Sequence, residues 1–403
     1  MTNTTRQLHP VLIAMALSLG AAVALGITRF SYGLLLPPMR ADLGWSYATA
    51  GGMNTANAMG YFIGALLTPW LFRRCSPYAA LMAGVLTSAL FMTLSGLVTD
   101  TGLLMIQRLL AGISSSWTFV AGSLLAARLG ARHPGQAGWL LGIYYGGCGL
   151  GIVVSAISIP LCMDWAERAA MPHPWQAVWI TLGALCLLAA WLMRAARHIP
   201  ASGNTQGPTT DIALGRFTPA LAGYLMFGMG YIGYMTFVVA WLKELGLAAA
   251  TITAFYSLLG LGVMASSRLW AGMLNHFKGG QSLAILTALC GLATLLPAIL
   301  PPGPIGLAGV FISGLLFGGV FLSVVASTTM LVRHNLPVQA WPAGIAAFTT
   351  LFAIGQVVGP AMVGWIADNA GGLRAGLLLS ASVLLLGALI ASRQQSFAVS
   401  HSV

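Results

Sequence analysis

The chain has 403 residues, of which 58% are hydrophobic and only 25 are charged, 18 basic and 7 acidic. A charged fraction of 6%, against roughly a quarter in soluble domains, leaves too little polar surface for a water-soluble fold, so the solvent is the bilayer. The net charge of +11 does not point to nucleic acid, because the basic residues lie mainly in short loops between apolar spans, with no basic patch interleaved with aromatics.

A helix needs roughly 20 residues to cross the hydrocarbon, and the stretches between charged, Pro or Gly breaks predict an all-α integral membrane protein of twelve transmembrane helices. They run over 10–36, 46–71, 78–98, 102–128, 137–160, 175–194, 217–241, 249–273, 280–300, 304–331, 340–366 and 373–391. The first is too long for a cleavable leader and contains Arg29. Many exceed a perpendicular crossing, which predicts tilt or helix ends standing in water.

Charge orients the spans. With the N-terminus inside, the cytoplasmic segments hold eleven basic residues: Arg6, Arg73, Arg74, Arg128, Arg132, Arg194, Arg197, Arg216, Lys278, Arg333 and Arg393. The outer loops hold four, Arg40, Arg168, Lys243 and Arg374. That bias places both termini in the cytoplasm. The connection 195–216, with Pro200, Ser202, Gly203, Asn204, Gly207 and Pro208, has linker chemistry. It divides the chain into a six-helix bundle over 1–194 and another over 217–403. Cys148, Cys186 and Cys290 fall inside spans, Cys75 in a basic loop, and Cys162 alone faces outward, so no disulfide framework is expected.

Shifting the chain by 202 positions matches Gly26 with Gly228, Tyr32 with Tyr234, Thr49 with Thr251 and Gly60 with Gly262. The same shift sets Asp42-Leu43-Gly44 against Glu244-Leu245-Gly246. Two such halves are a transporter architecture, with the substrate site near the midplane between them.

Span four reads Gln107-Arg108-Leu109-Leu110-Ala111-Gly112. Span five carries Gly142, Gly146, Gly149 and Gly151, and span eleven Gly355, Gly359-Pro360 and Gly364. With the twelve-span layout, these resemble the major facilitator superfamily. Gly26-Ile27-Thr28-Arg29-Phe30 with Pro37, and Gly228-Met229-Gly230-Tyr231 with Thr236-Phe237, resemble its bacterial YbfB-like branch. The superfamily's loop motif after span two is degraded: Thr68 stands at its Asp position and Leu71 at its second Gly, leaving Arg73 and Arg74. After span eight, His276 stands at the Asp position. The resemblance implies a secondary transporter of the bacterial inner membrane, working by alternating access as a monomer without cofactor or metal. It also implies that helices one, four, seven and ten line a central cavity.

Three arginines lie inside spans, Arg29, Arg108 and Arg268, each costing about 2.5–3.5 kcal/mol at mid-helix. At 1.5 Å per residue, Arg29 and Arg108 sit about 10 and about 9 Å from the same surface. Two guanidiniums at one depth suit a carboxylate, because the planar fork binds oxyanions bidentately. Equally, Arg108 can hold backbone carbonyls. Arg268 either snorkels to the cytoplasmic interface or resembles the eighth-helix Arg of monocarboxylate porters, a gating or substrate role. Asn54, Asn57 and Tyr61 share a face of span two, Tyr224, Tyr231 and Tyr234 a face of span seven, Arg29 and Tyr32 stand a turn apart, and Gln356 interrupts the glycine face of span eleven. The expected substrate site is therefore Arg29, Arg108, Tyr32, Asn54, Asn57, Tyr231, Tyr234 and Gln356. Trp45, Trp165, Trp175 and Trp241 read as interfacial anchors.

All seven acidic residues and all seven histidines fall in loops or at span ends. The usual mid-membrane relay for protons is missing, which favours a small organic anion as substrate. Proton-coupled drug or metabolite efflux is the alternative. HExxH, GxSxG and CxxC are absent, which argues against an enzyme.

Overall fold

The computed structural model describes residues 9–198, 214–301 and 303–397. Twelve membrane-length helical segments follow in chain order: α1 (Pro10–Leu43), α2 (Tyr47–Arg74), α3 (Pro77–Ser95), α4 (Thr101–Arg132), α5 (Ala137–Arg168), α6 (Pro174–Leu192), α7 (Thr218–Glu244), α8 (Ala249–Leu269), α9 (Gln281–Ile299), α10 (Pro304–Asn335), α11 (Trp341–Asn369) and α12 (Gly372–Ala391). Eleven helices among the described residues are apolar enough to cross a bilayer by composition; α2 is not one of them. Its Asn54, Asn57, Thr49 and Thr55 dilute the apolar stretch, and α4 and α11 pack along it. The linker residues Pro200 to Pro208, and Arg6, lie outside the described residues.

Local chemistry sets the ends. Ser46, Ser76 and Asp100 accept the N–H of Thr49, Ala79 and Leu103 at 3.1, 3.2 and 2.8 Å, quenching donors that every helix start leaves free. Proline occupies the first helical turn of α3, α6, α7, α10 and α11, where its missing N–H costs nothing. The repeated Asp/Glu-Leu-Gly triplet is a stop signal: Gly44 and Gly246 adopt φ of 65° and 75° just past α1 and α7, a conformation that favours glycine.

Helix α1 is not regular. Residues Ala22–Phe30 form a π-helical stretch, seen in the Ser31 N–H to Gly26 carbonyl bond of 3.0 Å. Such wide turns alter the angular register of the side chains that follow.

Helices α1–α6 pack mainly among themselves, as do α7–α12, and the two sets meet along α2–α11 and α5–α8, with a lesser α1–α7 contact. Residues 193–198 and 214–217 and the end of α12 lie at one end of the bundle, where Gln394 bonds the Arg216 carbonyl at 3.1 Å. This is called the linker end, and the opposite end, carrying Gly44, Glu244 and Asp368, the far end.

The reading of two tryptophans as interfacial anchors is corrected. Trp175 is 1% exposed and gives its indole N–H to Asp42 at 2.5 Å. Trp45 is also buried and bonds Thr101 at 2.9 Å. Both tie helices together, whereas Trp165 is exposed as an anchor should be. Cys162 is a free thiol that meets the Thr181 hydroxyl at 3.2 Å.

Candidate substrate site between the halves

From the far end inward, the α2–α11 seam is closed by backbone contact. At Gly364 a Cβ would stand 2.4 Å from the Tyr47 carbonyl oxygen, and at Gly51 2.4 Å from that of Pro360. Polar bonds continue the seam: Thr55 to the Val357 carbonyl at 2.9 Å, Asn54 to Thr236 at 2.6 Å, and Tyr256 to the Phe30 carbonyl at 2.7 Å. Deepest of these is Arg29, on the π stretch, whose Nη2 donates to Gln356 Oε1 of α11.

Beyond it, in the linker-end part of the molecule, a cavity of about 390 Å³ opens between the halves. Phe119 and Tyr145 line it from α4 and α5, and Val263, Ser266, Leu322 and Ser323 from α8 and α10. Arg29 and the cavity are bridged by Tyr61, whose ring centroid is 5.5 Å from the Arg29 guanidinium carbon and which has Tyr145 and Tyr231 as electrostatic neighbours. Arg29 is 2% exposed, and its Nε has no partner. Among the described residues no carboxylate pairs with it. A buried cation left with a neutral partner and a free donor is costly unless an anion or water completes it.

On the second-half side of Arg29 the packing is aromatic. Tyr231 stacks at once on Phe227, Phe321 and Phe352, at centroid distances of 5.0, 5.9 and 5.4 Å and interplanar angles of 16°, 11° and 15°. Phe321 in turn meets Phe30 of α1 edge-on at 5.7 Å. Parallel rings from α7, α10 and α11 thus form a flat-faced column beside the guanidinium.

The expected site residues divide. Arg29, Gln356, Asn54 and Tyr231 gather at the seam. Arg108 shares the level of Arg29, since its Nη1 bonds the Thr28 carbonyl at 2.8 Å. Its guanidinium turns into the first half, however, 5.1 Å from the Tyr32 ring and 5.4 Å from that of Trp179. Asn57 bonds the Arg108 carbonyl at 3.1 Å, and Tyr32 the Ala50 carbonyl at 2.7 Å. In the second half Tyr234 bonds Ser313 at 2.7 Å. These four stiffen the walls on which the seam residues stand. Arg268 lies elsewhere, exposed and 3.7 Å over the Trp139 ring, linking α8 to α5.

Tyr61, Phe321 and Phe352 are missing from the expected set. A lone phenylalanine in an apolar span carries no signal; only stacking with partners 90 or more positions away makes it notable. Arg108→Ala is expected to lower thermal stability by about 2 kcal/mol, through loss of the charge-assisted bond to the Thr28 carbonyl and the cavity left beside Tyr32 and Trp179, with Arg108→Lys recovering part. Thermal unfolding in detergent, read by tryptophan fluorescence, measures it.

Residues 21–392 match the family described as "Uncharacterised MFS-type transporter YbfB". The chain belongs to this family of major facilitator transporters. It is a multi-pass membrane transporter and not an enzyme. It is 26% identical to the "Chloramphenicol resistance protein" of Streptomyces lividans over 383 residues, covering 91% of this chain and 93% of that protein. Among solved structures it resembles a bacterial homolog to the human lysosomal transporter Spinster, in inward-facing and unoccupied conformation. The TM-score is 0.73 at 14% identity, covering 96% and 98% of the two chains. It also resembles the nucleoside transporter NupG, again with TM-score 0.73 at 14% identity and coverage of 96% and 98%. At those identities the structural likenesses establish the fold alone. No group of three or more His, Cys, Asp or Glu among the described residues is placed to hold a metal ion.

Proposed function

We propose that this transporter moves a small organic anion across a bacterial inner membrane by alternating access, as a monomer, with its linker end in the cytoplasm. The observation carrying the substrate class is Arg29, a buried cation between the halves that packs on the Tyr61 ring and is bonded to the neutral Gln356. A carboxylate entering from the linker end would displace Gln356, take the free Nε and one Nη, and gain charge-assisted bonds in a site shielded from water. Since Gln356 belongs to the second half and Arg29 to the first, that exchange loosens the seam, which is how occupancy would couple to movement. Arg108, Tyr32, Asn57 and Tyr234 hold the walls, Asn54 and Tyr231 border the ligand, and Arg268 with Trp139 contributes to closing the linker end. Eleven basic residues in the segments of that end support the orientation.

A second reading has its own support. The stacked rings of Tyr231, Phe227, Phe321 and Phe352 offer flat apolar faces, and the Streptomyces relative is named for resistance to chloramphenicol, so export of a neutral aromatic compound is the alternative. A thermal-shift screen of purified protein with carboxylates, neutral aromatics including chloramphenicol, and lipophilic cations separates them. Stabilisation by carboxylates is expected; stabilisation by neutral aromatics alone would replace the anion reading with the second.

A further inference from the structure

The surroundings of Arg29 restrict the rest of any molecule whose carboxylate it holds. The acidic side chains among the described residues, Asp42, Asp100, Asp164, Glu167, Glu244 and Asp368, are all exposed, in loops or near helix ends. None of them pairs with Arg29, and none is placed to receive an ammonium group beside it. The second buried cation is spent elsewhere: the Arg108 guanidinium lies among Tyr32 and Trp179 inside the first half, with one Nη on the Thr28 carbonyl. One guanidinium fork therefore faces the seam.

The cavity of about 390 Å³ between the halves is equally poor in free polar groups. Its two serine hydroxyls are used by the backbone: Ser266 donates to the Val263 carbonyl and Ser323 to the Ser266 carbonyl, each at 3.0 Å. Phe119, Val263 and Leu322 present apolar atoms. The other polar side chains of the lining are Tyr145, Asn275 and Thr329. Asn275 lies beyond the end of α8 and Thr329 within two turns of the end of α10, so both belong to the linker-end side. Tyr61, which packs on Arg29 and neighbours Tyr145, and the parallel rings around Tyr231 add flat apolar faces between the cation and this space.

We propose that the substrate is an apolar monocarboxylate, whose carboxylate sits on Arg29 and whose body extends past Tyr61 into the cavity. The inference rests on the anion reading of Arg29 and adds to it the chemistry of the rest of the molecule. Each polar addition to the body meets a specific lack. A second carboxylate would be buried without a second fork, and an ammonium without an acid. A hydroxyl would leave water for walls whose own hydroxyls are already bonded. Methylenes and aromatic rings carry no such cost and gain from leaving water.

Matched pairs of compounds isolate each term. Affinities are read from ligand-dependent unfolding of the full chain in lipid nanodiscs, followed by tryptophan fluorescence. Arg29→Ala is run alongside to subtract partitioning into the lipid. Octanoate is compared with suberate, hexanoate with gluconate, and 3-phenylpropionate with phenylalanine, so that the second of each pair adds an acid, hydroxyls or an ammonium. The first of each pair should bind at least about tenfold more tightly. From butyrate to octanoate, affinity should rise about fourfold per methylene. Ala326→Trp, at an exposed position of the cavity lining, should flatten that rise by occupying the space. Equal binding within the pairs, lost in Arg29→Ala, overturns the apolar body and leaves the anion reading standing. A rise that survives in Ala326→Trp removes the body from the cavity and overturns the inference as well. If 3-phenylpropanol stabilises the protein as strongly as 3-phenylpropionate, the anion reading itself falls and takes this inference with it.

Discussion

Arg29→Ala is expected to remove stabilisation by carboxylates while the protein remains folded and monodisperse. The Arg29 guanidinium makes one bond, to Gln356, and holds a free Nε, so its loss deprives an incoming carboxylate of both arms of the fork. Charge-assisted bonds of this kind contribute about 1.5–3 kcal/mol, which corresponds to roughly 10–150-fold weaker binding. Arg29→Lys keeps the charge but loses the planar fork, and should recover part of the affinity. Gln356→Ala should act oppositely: it removes the acceptor that competes with the ligand, so binding is unchanged or tighter while closure of the seam suffers. Ligand-dependent melting of the three variants checks the pattern. Equal carboxylate binding by Arg29→Ala and wild type would show that the cation is structural.

Gly364→Leu is expected to open the far end at neutral pH. A Cβ there would stand 2.4 Å from the Tyr47 carbonyl oxygen and 2.8 Å from its carbon, backbone atoms of the opposite half that side-chain repacking cannot move. Overpacking costs about 1–3 kcal/mol. Because the clash lies between the halves, parting them relieves it without disturbing either bundle. A cost of that size shifts a two-state equilibrium by roughly 5–150-fold. Gly355→Leu is the control, since its Cβ would meet the Leu225 carbonyl oxygen at 2.3 Å within the second half. It should lower thermal stability instead of lengthening the distance between nitroxide labels at Ala169→Cys and Ala249→Cys, exposed far-end positions of the two halves. Unchanged separations and unchanged transport in Gly364→Leu would show that the far end tolerates looser packing than these contacts imply.

The two variants address different links in one chain of cause. Arg29 and Gln356 join ligand to seam. Gly364 sets how closely α2 and α11 approach, and Asp368 reaches the N–H groups of α2 only because that approach is close. Occupancy at one end of the seam and backbone packing at the other would thus bias the same helix pair, the physical requirement for coupling between them.

The sequence by itself determined the solvent, the number of helices and most of their limits. These follow from free-energy terms that act locally: burial of apolar side chains in hydrocarbon, and the chemistry of helix ends. The paired Asp42-Leu43-Gly44 and Glu244-Leu245-Gly246 triplets were legible as a repeat, and each glycine ends its helix in the same conformation. The candidate buried cations were legible too, since an arginine within an apolar span is costly wherever it points. Of the three, however, only Arg29 and Arg108 are buried, and Arg268 is exposed. Only the tertiary structure decided their partners. Arg29 and Arg108 share a level, yet the π stretch of α1 and the crossing of α4 send one guanidinium across the seam and the other among Tyr32 and Trp179. The aligned acids also part company, Asp42 staying within its own half and Glu244 crossing to Tyr47. Asp368 aligns with Ala166 and has no counterpart from which its role could be read. Which polar groups meet across the seam depends on where helices more than 180 residues apart touch, and no local pattern in the sequence records that contact.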